Sequence, residues 1–440
     1  MVRATGIACG LLLAFAGATP GAAAPASAAA PAARHLGVAS CSSSVCHGAV
    51  APSHSSDVLL NEYVTWSHQD AHAKAYSTLT SERSRAIAAK LGLHDAVGAK
   101  VCLDCHADNV PPPLRGEKFA LSDGVGCEAC HGGAERWLTA HSSKDSSYRD
   151  NVTRGMYPTA DLQPRAQLCL SCHYGTAEKF ATHRIMAAGH PRLSFELDTF
   201  LALQPPHYQV DDNYRKRKPT YSHTQVWAYG QLAAALHEME TLQGPRINNT
   251  ATFPELALFN CYGCHMSSMH RTDWNHGLLS TDAEPGSVPV SDGHLSMAWI
   301  VARQLDPPNA PLLLSSSQAL IAASAAGRQQ IAASSREVAV QVQRLSAVAS
   351  QHPWSRADQK QLLSTLLQTG VNGEFRDYIL AEQAVMGIDG LLIELQLAER
   401  HRAKLDELYR LVQNDERYVP EQFVAALRQL QAELQLSPGS

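Results

Sequence analysis

Ten cysteines in five pairs, each pair closed by a histidine, constrain this chain more than any other feature. Four of the segments read C-x-x-C-H: CLDCH at 102–106, CEACH at 127–131, CLSCH at 169–173 and CYGCH at 261–265. The segment that comes first, CSSSVCH at 41–47, has a four-residue spacer. Zinc sites made of CxxC units use two units per metal and need no His behind each one. A disulfide framework has no use for five His at one fixed offset. A thioredoxin-like CxxC belongs in a βαβ context, which is absent here. The spacing fits covalent haem attachment. Two thiols on a short loop add to the two vinyl groups of one porphyrin, and the next residue turns its imidazole under the macrocycle to bind iron. The pattern predicts five c-type haems, held by Cys41 and Cys46, Cys102 and Cys105, Cys127 and Cys130, Cys169 and Cys172, and Cys261 and Cys264. Their proximal iron ligands are then His47, His106, His131, His173 and His265.

Haem also accounts for an unusual composition. The 440 residues include 21 His and 11 Cys, yet aromatic residues reach only 6%. The first four motifs fall between residues 41 and 173. That leaves about 33 residues for each haem, too few for an ordinary core around each. The macrocycles must supply much of the interior, so this part should be short helices and loops wrapped on haem, and should not fold without it. A 45% hydrophobic, 18% charged chain of this length is folded and suggests two to three domains. Its net charge of −5 argues against a nucleic-acid binder.

The N-terminus points to export. Arg3 precedes an apolar run from Gly6 to Ala18, and a stretch of small residues and prolines with A-x-A sites follows. This is the layout of a cleaved signal peptide, read here over residues 1–28, and it takes the unpaired Cys9 with it. The run is shorter than the ~20 apolar residues of a membrane span, and no later segment of the sequence is long and apolar enough. The expected location is the periplasm, with no transmembrane segment in the mature chain.

The segments TWSHQDAHAKAYSTL (65–79), CLDCHAD, DGVGCEACHGG (123–133), His141 and CLSCH follow one another in an order that resembles the cytochrome c-554 family of tetrahaem electron carriers. The resemblance covers roughly residues 41–173. It implies that His72 and His141 are distal iron ligands, His72 at the third haem and His141 at the first. It also implies that the iron on His106 has no distal ligand, although His54, His68 and His94 lie near enough in sequence to fill that place. The longer first spacer, the fifth motif and everything C-terminal have no counterpart in the tetrahaem carriers, so the chain resembles a larger, pentahaem relative. For the fourth and fifth haems the residues favour His183 and His190, the latter fixed by Pro191. His223, His270, His276 and His294 stand in reserve.

Elsewhere helical patterns dominate. Ser81–Leu91 and Thr224–Leu242 read as helices, and 204–221 as a loop carrying the basic run Arg215–Lys218. That run suits a solvated loop, an acidic partner or haem propionates. From about residue 310 cysteine is absent and helical periodicity is strong, with Pro420 opening the last helix. The expected fold is mainly α: a pentahaem domain over 35–300, then a haem-free helical bundle over 310–440. The leading functional expectation is electron transfer between redox partner proteins, with the bundle as an alternative dock on a membrane complex. The competing expectation is a haem redox enzyme acting on nitric oxide, hydroxylamine, nitrite or a small sulfur compound at a five-coordinate haem. No acid–base constellation marks a catalytic residue.

Overall fold

The computed structural model describes Met1 and residues 32–54, 56, 58–248, 254–261, 265, 278–279 and 288–434. The expected signal peptide, Cys264, His270 and His276 lie outside the described residues beyond Met1. From Ala33 onward the chain packs as one unit. It is 63% helical. Among the described residues there is no strand, only isolated bridges between His35 and Arg115 and between Phe259 and Val290.

In the N-terminal part the helices are short, and motifs end three of them. The principal ones are α1 (Glu62–Gln69), α2 (Glu82–Leu91), α3 (Lys100–His106), α4 (Cys127–His131), α5 (Leu138–His141) and α6 (Leu162–His173). In α3, α4 and α6 the motif fills the last turn and its His is the final helical residue. Positions i, i+3 and i+4 share one helix face, so both thiols and the imidazole of each motif point the same way. The cap of α2 is Ser81, whose hydroxyl accepts from the Ser84 N–H, with Gly92 left-handed at the other end.

Next come α7 (His183–Ala187), α8 (Leu197–Leu203) and α9 (Asp212–Arg217). The last lies in the segment expected as a loop. Asp211 caps it by accepting from the Tyr214 N–H, and the basic run sits at its negative end, where the helix dipole favours it.

The C-terminal part is built from long helices: α10 (His223–Gln243), α11 (Gly293–Leu305), α12 (Ala310–Ala326), α13 (Arg328–Gln351), α14 (Arg356–Val371), α15 (Tyr378–Glu394), α16 (Arg402–Leu411) and α17 (Pro420–Leu434). One apolar core runs through all of them, with Trp227, Leu232, Met239, Leu295, Val338, Leu366, Ile388 and Phe423 closed to solvent. The helix α10 is buried nearly all round, and so are α11 and α15. Two helices that precede residue 310, α10 and α11, therefore share this core. The contrast with the N-terminal part is sharp. There the largest apolar cluster without the long helices is Leu79, Ala88, Ala96, Leu103 and Ala107. Three alanines and two leucines cannot hold a hundred residues together, which matches a region whose interior is meant for something else.

Polar contacts fasten the segment 190–200 to the bundle. Arg192 pairs with Glu382 of α15 at 2.8 Å, and Gln383 donates to the Phe195 carbonyl at 3.2 Å. Gln231 joins Gln383 at 2.8 Å inside the core.

Candidate functional site

Each of the five motif histidines stands opposite one other histidine. The ring centres are 6.0 Å apart for His47 and His141, 6.3 Å for His106 and His190, and 6.3 Å for His131 and His207. They are 6.1 Å apart for His173 and His72, and 6.3 Å for His265 and His183. Ordinary aromatic pairs scatter over about 4.5–7 Å, whereas these five span 6.0 to 6.3 Å. Two imidazoles sharing one metal ion need this spacing: a bond of about 2.0 Å on each side plus the half-width of each ring. No other His–His ring pair occurs among the described residues. The residues thus fit bis-imidazole haem irons, and the motif cysteines that precede each proximal ring in sequence would be the attachment points.

Hydrogen bonds orient the rings. Metal-binding His normally presents one nitrogen to the metal and gives the other N–H to an acceptor. Here Nδ1 of His47 meets Glu62 at 2.9 Å, and Nδ1 of His72 meets Asp70 at 2.9 Å. Nδ1 of His106 meets the Ala75 carbonyl at 3.1 Å, and Nδ1 of His190 the Pro191 carbonyl at 2.7 Å. Nδ1 of His141 meets the Leu138 carbonyl, and His207 bonds the backbone of Pro205. Where Nδ1 is held in this way, Nε2 is left to face the partner ring. Burial pulls His131 down to about 3 and His173 to about 4. Both are therefore neutral at physiological pH, the state a metal ligand requires.

The AHAKA element is placed by backbone contact. The His72 carbonyl accepts from the Val125 N–H at 3.0 Å, and Trp66 donates its indole N–H to the Val125 carbonyl at 3.2 Å. Gly124 makes this approach feasible. Its φ is 74°, and a Cβ there would lie 2.7 Å from the His72 oxygen. In the third motif Glu128 is buried and accepts from three backbone N–H groups, those of Leu36 (2.8 Å), Gly37 (2.7 Å) and Ala134 (2.7 Å). Its carboxylate therefore ties the Leu36–Gly37 segment to that motif.

Several sequence expectations meet different partners. The resemblance implied His141 at the first haem and His72 at the third; the ring of His141 faces His47, and that of His72 faces His173 and not His131. Of the two histidines favoured for the fourth and fifth haems, His183 faces His265 of the fifth motif and His190 faces His106 of the second. The place opposite His106 is thus taken, and by none of the near residues: His54, His68 and His94 are exposed at the surface. His223 binds Asp198 at 3.0 Å and His294 binds Gln231 at 2.8 Å, so neither reserve histidine joins a pair. The ring opposite His131 is His207, which sequence reasoning passed over. Its signal was the preceding Pro205-Pro206, the same backbone fixation that singled out His190.

Residues 40–132 match the model of the family described as cytochrome c554 and c-prime. The match takes in the first three motifs and His72. No curated protein and no solved structure matches the chain. Among the described residues no helix is long and apolar enough to cross a membrane.

Proposed function

For a c-type cytochrome that resembles the cytochrome c554 family, with covalently bound haem, we propose the role of a periplasmic electron-transfer protein carrying five haems, exported by a signal peptide at residues 1–28. One observation carries this reading: every motif histidine faces a second histidine. Held between two imidazoles, a haem iron supplies one-electron chemistry and offers a substrate no coordination position unless a ligand leaves. The distal ligands would be His141, His190, His207, His72 and His183, in motif order.

The attachment residues also form a sequence in space. Cys41 lies beside Cys127, and Cys105 beside Cys172, near enough for each thiol to influence the other. Cys130 lies close to Cys169 and Cys172. The short segment 183–190 serves both the fifth and the second pairs. These contacts support an order of first, third, fourth, second and fifth site. At the first site Val45 and Val50 are 82% and 95% exposed, which suits a docking end for a redox partner protein. The haem-bearing part spans 35–300. The haem-free part over 310–440 supports it, through Glu382 and Gln383, by bracing the segment that follows His190.

Mass spectrometry of the denatured holoprotein should show five covalent haems. Four would mean that the CSSSVCH loop carries none. A separate measurement weighs the carrier against an enzyme of nitric oxide, hydroxylamine or nitrite. The oxidised protein should show only low-spin iron by EPR, and adding carbon monoxide to the reduced protein should leave its spectrum unchanged. Carbon monoxide binding, together with turnover of one of those compounds, would replace the carrier reading with the enzyme.

A further inference from the structure

The acceptors on the paired rings are not alike. His106, His141, His190 and His207 bond backbone carbonyls, while His47 and His72 bond carboxylates. Among the described residues no other ring of the five pairs has a carboxylate on it. Both carboxylates are firmly held. Asp70 is 4% exposed, and its oxygens also accept from the His72 backbone N–H at 2.9 Å and from Gln204 Nε2 at 3.1 Å. Glu62 accepts from the Leu60 N–H at 3.1 Å through the oxygen that does not face His47. Leu60 adopts a left-handed backbone, φ 61°, to present that N–H, and its carbonyl is held by the Ala49 N–H at 2.8 Å. A leucine seldom takes this conformation, so the local backbone is shaped around the Glu62–His47 contact.

A carboxylate draws the Nδ1 proton more strongly than a carbonyl does. The imidazole then becomes a stronger electron donor at Nε2 and favours the ferric over the ferrous state of a bound iron. We propose that Asp70 and Glu62 are potential-setting residues, making the irons held by His72–His173 and by His47–His141 the two hardest of the five to reduce. This rests on the bis-imidazole reading above. In the proposed spatial order the two low-potential positions are the first and the third. The pairs bonded to carbonyls alone, His131–His207 and His106–His190, lie second and fourth, and the fifth, His183–His265, has no carboxylate on it among the described residues. Asp70 and Glu62 are positioning residues: they touch the ligands and not the iron.

The test uses the holoprotein with Asp70→Asn and Glu62→Gln made separately. Each amide keeps the shape and can still accept the Nδ1–H, but without the charge. In each variant one of the five midpoint potentials should rise, by about 59 mV for every tenfold change in the oxidised-to-reduced ratio. The iron of the His131–His207 pair, where both carboxylates also act on His207 through space, should shift less, the remaining three should stay in place, and the ferric iron should stay low-spin. Low-spin variants with all five potentials unchanged, or with the affected one lowered, would overturn the proposal. If Asp70→Asn loosens the His72 turn and high-spin iron appears, Glu62→Gln decides alone, because Glu62 caps no part of the ligand's own backbone. High-spin iron in the unmodified protein would overturn the bis-imidazole reading instead, and so separates the two failures.

Discussion

On the proposed bis-imidazole ligand set of five haems, replacing His190 by Ala should let the reduced protein bind one equivalent of carbon monoxide, where the unaltered protein should bind none. His190 sits in Gly189-His190-Pro191, its Nδ1 tied to the Pro191 carbonyl at 2.7 Å. The Arg83 guanidinium clamps the Gly189 carbonyl from two nitrogens, at 2.6 and 3.0 Å. The ring is thus fixed from both sides while it faces His106 at 6.3 Å. Among the described residues no other imidazole stands opposite His106. One iron in five should become high-spin in the oxidised variant and accept carbon monoxide when reduced, with all five haems still attached. His207→Ala should do the same at His131. Alanine at His54, His68 or His94 should be silent. A His190→Ala protein that stays low-spin and indifferent to carbon monoxide would remove His190 from the ligand set.

The second large effect concerns folding. Replacing the motif cysteines of the first four pairs by Ser should unfold residues 33–180 while the long helices persist. The reason is the distribution of apolar burial. Between Ala33 and Leu170 the buried side chains are few and small, many of them alanines. The core of α10 to α17 is continuous and rich in Leu, Ile, Val and Phe. At about 25 cal/mol per Å² of apolar surface buried, the first region cannot offset its conformational entropy of about 1–2 kcal/mol per residue, whereas the second follows the pattern of an ordinary helical domain. Amide hydrogen exchange reads the outcome region by region. Protection over 33–180 should be lost. Protection over Gly293–Leu434 should change by less than about tenfold, or about 1.4 kcal/mol. Retained protection in the N-terminal part would show a protein core there that the packing does not reveal.

The pH response of the Asp70–His72 contact is a smaller effect with a definite sign. Burial works against the charge on Asp70. The bonds from the His72 side chain and backbone and from Gln204 outweigh it, and they hold the carboxyl at about 2. A carboxyl lowered on folding contributes stability above its unfolded value of about 3.9, and that contribution is lost as pH falls through the folded value. The contact should therefore survive mild acid and fail only near pH 2.

Much of this was legible in the sequence, for a local reason. Attachment of haem needs two thiols and an imidazole within five to seven consecutive residues, so the motifs record it without reference to the fold. Helices with strong periodicity, such as α17 opened by Pro420, are local in the same sense, and the ends of α2 and α10 fell within one residue of expectation. The histidine that faces each motif is a different matter. His72 and His173 are a hundred residues apart, His106 and His190 more than eighty, and nothing in either neighbourhood names the partner. Only packing decides it. The bundle braces 192–195, which carries His190 to His106, and Gly124 lets the His72 turn close on Val125 on the way to His173. Sequence could rank His207 only by its prolines, because a ligand and a solvent histidine look alike until the opposite ring is in view. The carboxylates on His47 and His72 became visible in the same way. Asp70 and Glu62 read as ordinary surface acids in a sequence, and they acquire a role only when the chain folds an imidazole N–H onto each.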